Sequence, residues 1–579
     1  MDLDVAVVGG GIAGAYSAWR LQEALGADAD IALFEYSDRI GGRLYTLTIP
    51  GLPHVKAEVG GMRYIPSQHP MVANLVDYLG LPTKPFPMGS DVKGVGSNCN
   101  LFYLRGEHLR LHELADPDKV PYNLAWSERG LGPTNLQVQV MNNIYAGMAN
   151  LSLCDLMKVQ AFGKPLWKYG FWDLMFKVLS NEGYQFMKDA GGYDANVANA
   201  NAVTQLPATE YSDSTVFLTL RDGYDQLPIT LAHKFNDQLP GGLRAGERVF
   251  MNHRLAKILV GSADDEYPYT LLFEPTTTSP ARETCVLEGA DTVTVRAKKV
   301  ILAMPRRSLE LIESTFFEDD WLKANIPSVL IQSAFKLFLA YESPWWRALG
   351  LVAGRSVTDL PIRQTYYFGT EADQEDGLPY MNSLLMASYN DISTVPFWKG
   401  LETGARYPGY RPSCLEPGVD SVILPQEFPP TQEMVEVANQ QVAAVHALPQ
   451  IPMPYSAVYH SWNEDPYGGG WHEWKADYRL DQVMCQMRKP VAGVDIHIVG
   501  EAYSFGQGWA EGSLDTAEST LHEFFGLEPP SWLKVPESAL MPIPCPGGCE
   551  SVKGCIEATG AAKTLADVTP NCLQKIEEG

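Results

Sequence analysis

The chain has 579 residues, a formal charge of -25 at pH 7 and a pI near 4.9, with 45% hydrophobic and 11% aromatic residues. That length calls for two or three domains, and the composition supplies material for large cores, which excludes a disordered chain. The acidic balance disfavours nucleic acid, and no apolar run is long enough to span a bilayer, so neither nucleic acid nor membrane is expected as a partner.

In chain order, the strand VAVVGG begins close to Met1, with no basic leader or cleavable apolar stretch ahead of it. No signal peptide is expected in this chain, which suits a cytoplasmic protein or a mature secreted form. The strand turns through Gly9, Gly11 and Gly14, in the order G-x-G-x-x-G, into an amphipathic helix. The first glycine makes the tight turn, the second admits a pyrophosphate, and the third lets helix pack on strand, with the helix N-terminus facing the phosphates. A second apolar strand, IALFE, ends at Glu35, about 20 residues on, where an acid binds ribose hydroxyls. Together these predict a dinucleotide site. The continuation SDRIGGRLYT carries Arg39, Gly41, Gly42 and Arg43, a second glycine-arginine element that nicotinamide-binding folds do not need.

With this R-x-G-G-R loop after the dinucleotide fingerprint, the sequence resembles the flavin-containing amine oxidase superfamily, most closely an L-amino acid oxidase. The resemblance covers roughly residues 4 to 527. It implies an α/β fold: a Rossmann-like FAD-binding domain of the amine oxidase type, an α+β substrate-binding domain and a helical insertion. The expected division is 1–50, 235–328 and 490–527 for the FAD-binding domain, 51–110 and 329–489 for the substrate-binding domain, 111–234 for the helical domain and 528–579 for a tail.

The stretch AEVGGMRYIP holds two glycines, Met62 and Arg63. Glycine permits close backbone approach, and arginine is shaped to grip a carboxylate or phosphate with two prongs. By resemblance Gly61 and Met62 line the flavin face. The FAD phosphates are already served by the N-terminal glycines and Arg43, so Arg63 is assigned to a second anion, the substrate carboxylate. From about 111 to 225, apolar residues three and four apart in LCDLMKVQAFGK and FWDLMFKVLSNEGYQFMKDA predict helices, and DGYDQLPITLAHKF starts another. VFMNHRLAKILV and VTVRAKKVILAMP read as strands. The first, near Val249, supplies backbone contacts to the adenine in the family resembled.

Lys336 is a lone cation in the apolar strand SAFKLFLAY, costly to bury unpaired. The matching lysine in amine oxidases holds a water at flavin N5 and assists the reaction with oxygen; a lysine snorkelling from a strand edge is the plainer alternative. In TDLPIRQTYYFG, Tyr366 and Tyr367 alternate, so one of the two faces a given cavity. By resemblance Tyr367 binds the substrate carboxylate, against core packing of both rings. SWNEDPYGGGWHEW supplies Trp462, Tyr467, Trp471 and Trp474 around a glycine run. There Trp471 is expected to shape side-chain selectivity, with a purely structural tryptophan cluster as the alternative. IHIVGEAYSFGQGWAEGSLDTAEST places Glu501 and Trp509 before a helix whose N-terminus approaches the cofactor, with Trp509 also at the substrate. No cysteine stands beside this loop, so FAD is expected to be noncovalent.

The nine cysteines are partly dispersed and odd in number, which does not read as a disulfide framework, and the spacing in CPGGCESVKGC does not match a zinc site, which leaves a disulfide-capable or simply free tail. No metal is expected. The resulting expectation is oxidative deamination of L-amino acids by oxygen to 2-oxo acids, ammonia and hydrogen peroxide, with a homodimer possible by resemblance alone. The alternatives are a monoamine or polyamine oxidase, an amino-acid 2-monooxygenase giving an amide, and a noncatalytic FAD-binding scaffold.

Overall fold

A computed structural model describes residues 1–26, 28–89, 100–207, 215–237, 248–414, 427–534 and 548–551. The strand Asp2–Val8 is apolar and largely buried, as a strand covered on both faces must be. It pairs in parallel with Ile31–Phe34 on one side and with Val293–Leu302 on the other. Val249–Phe250 extends the parallel set beyond Ile31–Phe34, and Ile496–Ile498 pairs in parallel with the end of Val293–Leu302. His253–Val260 and Tyr269–Thr278 form an antiparallel flank. These strands, with Thr284–Val286, make one eight-stranded sheet from three separate stretches of chain.

The helix Ile12–Leu25 packs against Gln226–Asp237 and Ala510–Phe525. It is tied to the last of these by a buried cluster. Tyr16 donates to Glu518 at 2.7 Å, and Arg20 pairs with the same carboxylate at 3.1 Å. Removing one member would strand the other charge in the core, so the cluster fixes how the chain's two ends dock. The boundary expected at 234 falls inside the helix Gln226–Asp237, which packs against this first helix.

The second large sheet has seven strands, in the order Ser456–Ser461, Ala334–Tyr341, Ser383–Asp391, Gln364–Thr370, Arg355–Thr358, Leu101–Leu104 and Glu107–Arg110. Its pairs are antiparallel except Arg355–Thr358 with Leu101–Leu104. Ala334–Tyr341 is buried along its whole length, which is why its one lysine matters. A separate ribbon pairs Val329–Gln332 with Trp471–Trp474, setting Leu330 against Glu473 and Gln332 against Trp471.

Residues 133–206 are mainly helical, and two helices expected there differ from the sequence reading. In LCDLMKVQAFGK the helix is a single turn, Leu153–Leu156, followed by a hairpin of Gln160–Ala161 and Lys164–Pro165. Phe162 and Gly163 form its tip at φ +44° and +83°, so turn geometry overrides the apolar spacing. The second stretch is two helices, Phe171–Val178 and Asn181–Gly191. Ser180 separates them and accepts from the Gly183 amide as an N-cap.

The cysteines also depart from expectation. Cys154 and Cys549, 395 positions apart, form a disulfide, and Cys485 is disulfide-bonded as well. A pairing across that separation leaves no local spacing to read. Cys285 and Cys414 are free, while Cys99, Cys545, Cys555 and Cys572 lie outside the described residues. Among the described residues no helix is long and apolar enough to cross a membrane, and no cluster of ligating side chains could hold a metal.

Candidate active site

One cavity of about 1190 Å³ runs from the first glycine turn, past both sheets, to the helical region. The end at the first glycine turn is built from backbone. The helix Ile12–Leu25 starts at Gly11 and Ala510–Phe525 starts at Trp509; neither N-terminus has a side-chain cap, and both line the cavity. Their first amides and helix dipoles therefore offer an anion site. A Cβ on Gly9 would meet the Ala303 carbonyl at 2.4 Å, and one on Gly14 would meet the Gly9 carbonyl at 1.9 Å. Gly14 thus works beneath the wall, closing helix onto strand. Gly11, by contrast, opens outward, the nearest atom to its built Cβ being Gly42 Cα at 3.8 Å.

Glu35 is buried at the strand end, accepting from the Gly10 amide at 2.7 Å and from the amide and hydroxyl of Ser37 at 2.9 and 2.8 Å. Arg43 pairs with Glu501 at 2.8 Å and donates to the Gly470 carbonyl at 3.1 Å. Glu501 also accepts from the His472 amide at 2.6 Å and the Gly508 amide at 3.1 Å, with His472 Nδ1 at 2.9 Å. Burial alone would raise the Glu501 carboxyl, but Arg43, His472 and these donors hold it far below the usual carboxylate range. Burial lowers His472, so its Nδ1–H donates as a neutral ring.

The other end is built from buried side chains. Arg63 is 5% exposed; its guanidinium lies 4.6 Å from the Phe217 ring, 5.3 Å from Phe86 and 5.7 Å from Tyr366, with Nη1 on Met88 Sδ at 2.8 Å. Lys336 donates to the carbonyls of Glu58 at 3.0 Å and Gly60 at 2.5 Å, and its ammonium lies 4.6 Å from the Tyr389 ring. Burial pulls Lys336 down to about 7, so it exchanges its proton near neutrality. The Glu58 carboxyl is pushed up to about 8, again by burial, and is held by the Thr46 hydroxyl at 2.7 Å and the Tyr224 amide at 3.0 Å.

The sequence profile of the flavin containing amine oxidoreductase family matches residues 12–518, most of the chain. The chain belongs to the flavin-containing amine oxidoreductase family. It is 29% identical over 544 residues to Aplysianin-A from Aplysia kurodai, covering 91% of this chain and 92% of that one. It is 23% identical over 590 residues to L-amino-acid oxidase 4 from Hebeloma cylindrosporum, covering 91% and 83%. A solved putrescine oxidase bound to putrescine superposes with a TM-score of 0.61 at 18% identity, covering 91% of this chain and 100% of that one; that likeness shows the shared fold.

A flavin is the cofactor of this family, and the uncapped helix ends, the outward-facing Gly11 and buried Glu35 suit a flavin dinucleotide. Of the residues singled out in the sequence, Gly9, Gly11, Glu35, Gly42, Arg43, Gly61, Met62, Arg63, Lys336, Trp471, Glu501 and Trp509 all line the one cavity. Trp509 meets His69 with ring centroids 4.5 Å apart.

One assignment is corrected. Tyr367 lies on the far face of its strand, in the core behind the sheet, with its hydroxyl 2.7 Å from both Ser356 Oγ and His446 Nε2. Alternation gives the Arg63 side to Tyr366, whose hydroxyl reaches Gln364 and Tyr193, each at 3.2 Å. Val249, expected to act through its backbone, pairs with Leu33 and packs its side chain against the sheet core, while His253, Arg254 and Leu255 supply the adjoining wall. Of the four aromatics around the glycine run, Tyr467 and Trp471 face the cavity. Trp462 and Trp474 are buried, donating to the Val59 and Ser504 carbonyls.

The sequence reading missed His69, Tyr193, Tyr389 and Glu473, which also line the cavity. Glu473 alone carried a signal, its place two residues beyond Trp471 on the same face of a strand.

Proposed function

We propose that this protein is an FAD-dependent L-amino acid oxidase that binds FAD without a covalent bond. The observation that carries the reading is Arg63, a buried guanidinium in the cavity wall. Rings lie within cation–π range of it, and an arginine's N–H groups lie in its plane, the geometry that grips a carboxylate. An amine without a carboxylate would bring only positive charge to this guanidinium, so Arg63 favours amino acids over amines. The L-amino acid oxidase among the relatives supports the same choice.

When bound, the flavin accepts the hydride from the carbon that bears the amine and returns the electrons to oxygen as hydrogen peroxide. The chain's own residues do the rest. Arg63 holds the carboxylate and so orients the reacting carbon, an effect of roughly 7 to 11 kcal/mol where alignment is good. Lys336, held on the Glu58 and Gly60 carbonyls and near its titration point, holds or delivers a proton at the cavity. Trp509 and Trp471 exclude water from the reacting face. The imino acid leaves and hydrolyses to the 2-oxo acid and ammonia.

Among the described residues no cysteine lines the cavity, which supports a noncovalent cofactor. The Cys154–Cys549 disulfide favours an oxidising compartment over the cytoplasm. The test is product analysis in air: equal amounts of 2-oxo acid, ammonia and peroxide from an L-amino acid support the oxidase. An amide product would instead make the protein a monooxygenase. Flavin released into the supernatant on acid precipitation supports noncovalent binding, and flavin retained in the pellet refutes it.

A further inference from the structure

Glu473 is 6% exposed, yet it lines the cavity. Its strand pairs with Val329–Gln332, and strand alternation sets its side chain on the same face as Trp471. Its two oxygens are met by neutral amides: Oε1 accepts from Gln205 Nε2 at 3.3 Å and Oε2 from Gln332 Nε2. Among the described residues no lysine, arginine or histidine forms a salt bridge with it; the same holds for Glu35 at the glycine turn, whereas Glu501 is bound to Arg43. The nearby charges are Asp391 and Glu501, both acidic.

An acid that burial keeps protonated near neutrality is costly to ionise in this wall unless a cation meets it. Its placement has a consequence for recognition. Gln205 belongs to the helical region and Gln332 to the ribbon strand, so the acid sits where these parts meet across the cavity. Arg63, between the strand Leu52–Glu58 and the helix Pro70–Leu79, and Glu473, on the strand Trp471–Trp474, line the same cavity. One ligand meeting both needs an anionic end and a cationic end.

We propose that Glu473 is a specificity-determining residue that selects L-amino acids with a cationic side chain. This rests on the reading of Arg63 as the carboxylate site, and it adds the identity of the side chain. Burial pushes Glu473 up to about 8, so an arriving ammonium or guanidinium displaces the carboxyl proton and ionises the group that receives it. A neutral side chain of equal length leaves the acid protonated and gains only packing against Trp471. Discrimination by a buried polar group exceeds what a methylene confers, so the preference should reach at least about tenfold.

The test uses the flavin-loaded enzyme and two matched pairs. L-lysine and L-norleucine share a carbon chain, as do 6-aminohexanoate and hexanoate; the latter pair carry no amine beside the carboxylate and report binding through perturbation of the flavin spectrum. Wild type should favour L-lysine over L-norleucine in kcat/KM, and 6-aminohexanoate over hexanoate in Kd, each by at least about tenfold. Glu473→Gln keeps the shape and one accepted glutamine contact, the other surviving only if that partner amide turns its oxygen toward the new NH2, and it should bring both ratios close to one. A wild-type ratio at or below one for either pair overturns the inference without any variant, and so does a preference that survives Glu473→Gln. If hexanoate and 6-aminohexanoate bind equally while L-norleucine is turned over, Glu473 alone has been misread. If neither carboxylate binds and no L-amino acid bleaches the flavin, the Arg63 reading has failed and takes this one with it.

Discussion

The two ends of the cavity are made of different material. At the flavin end the contacts are backbone: glycines without room for a Cβ and two uncapped helix starts, with Glu35 and the Arg43–Glu501 pair locking them in place. At the substrate end they are buried ionisable side chains, Arg63, Lys336, Glu58 and Glu473, drawn from distant parts of the chain. Backbone recognition is fixed by geometry and indifferent to pH. A site of buried charges can be retuned by single substitutions, and it titrates. The first suits a cofactor that never changes, the second a substrate that must be chosen.

The largest effect should come from the backbone end. Gly14→Ala drives a methyl into the Gly9 carbonyl, so helix and strand must part; overpacking of this kind costs about 1–3 kcal/mol. The variant should purify with little flavin and a lowered Tm, read from the ratio of flavin to protein absorbance. A normal flavin content would show that the turn tolerates bulk and that the contrast is overstated.

Next is Lys336→Met at the other end. It keeps much of the side chain's bulk while removing the group that exchanges a proton near pH 7. Flavin reduction by substrate should persist, whereas reoxidation by oxygen should slow by roughly 10²-fold, the usual worth of a positioned proton carrier. Stopped-flow mixing of reduced enzyme with oxygen separates the two steps. Equal slowing of both would place Lys336 in substrate binding instead.

Glu473→Gln acts on stability, with a pH-dependent signature. The Glu473 carboxyl titrates at about 8 in the folded protein, above its ordinary 4.5, with burial as the main cause and Asp391 and Glu501 as like-charged neighbours. The folded state therefore holds a proton that the unfolded chain releases between those values. Its stabilising contribution is full below 4.5, declines as pH rises and is lost above about 8. The variant lacks this decline, so its stability relative to wild type should climb with pH by up to about 1.4 kcal/mol per unit across the window, then level off. Denaturant titrations from pH 5 to 9 measure it, and a flat difference would mean Glu473 is already ionised when folded.

The smallest effects distinguish the adjacent tyrosines. Tyr366→Phe removes a hydroxyl on the Arg63 side and should raise KM. Tyr367→Phe removes hydrogen bonds to Ser356 and His446 behind the sheet, costing about 1 kcal/mol of stability with kinetics unchanged. The reverse pattern would return the substrate role to Tyr367.

The same contrast explains what was legible in the sequence. The nucleotide turn is one continuous stretch in which each glycine has a local reason, so Gly9, Gly11, Gly14 and Glu35 could be read in place. Lys336 stood out because a single cation interrupts an apolar strand, and Arg63 because glycines precede it. Tyr366 and Tyr367 were legible as a pair but not individually, since alternation gives no sign of which face meets the cavity. Glu473 depends on Gln205 and Gln332, separated from it by 268 and 141 positions, and the Cys154–Cys549 bridge spans 395. Such groupings exist only after the sheets have brought them together.

The central claim is that Arg63 reads a carboxylate, and anaerobic flavin reduction tests it most directly. Wild type and Arg63→Ala would each be mixed with an L-amino acid and with the amine left by its decarboxylation. The account predicts rapid bleaching of wild type by the amino acid, slow or no bleaching by the amine, and a loss of about 10²-fold for the amino acid alone in the variant, as expected for a charged hydrogen-bonded contact. Faster bleaching by the amine, or an unchanged rate in Arg63→Ala, would contradict it.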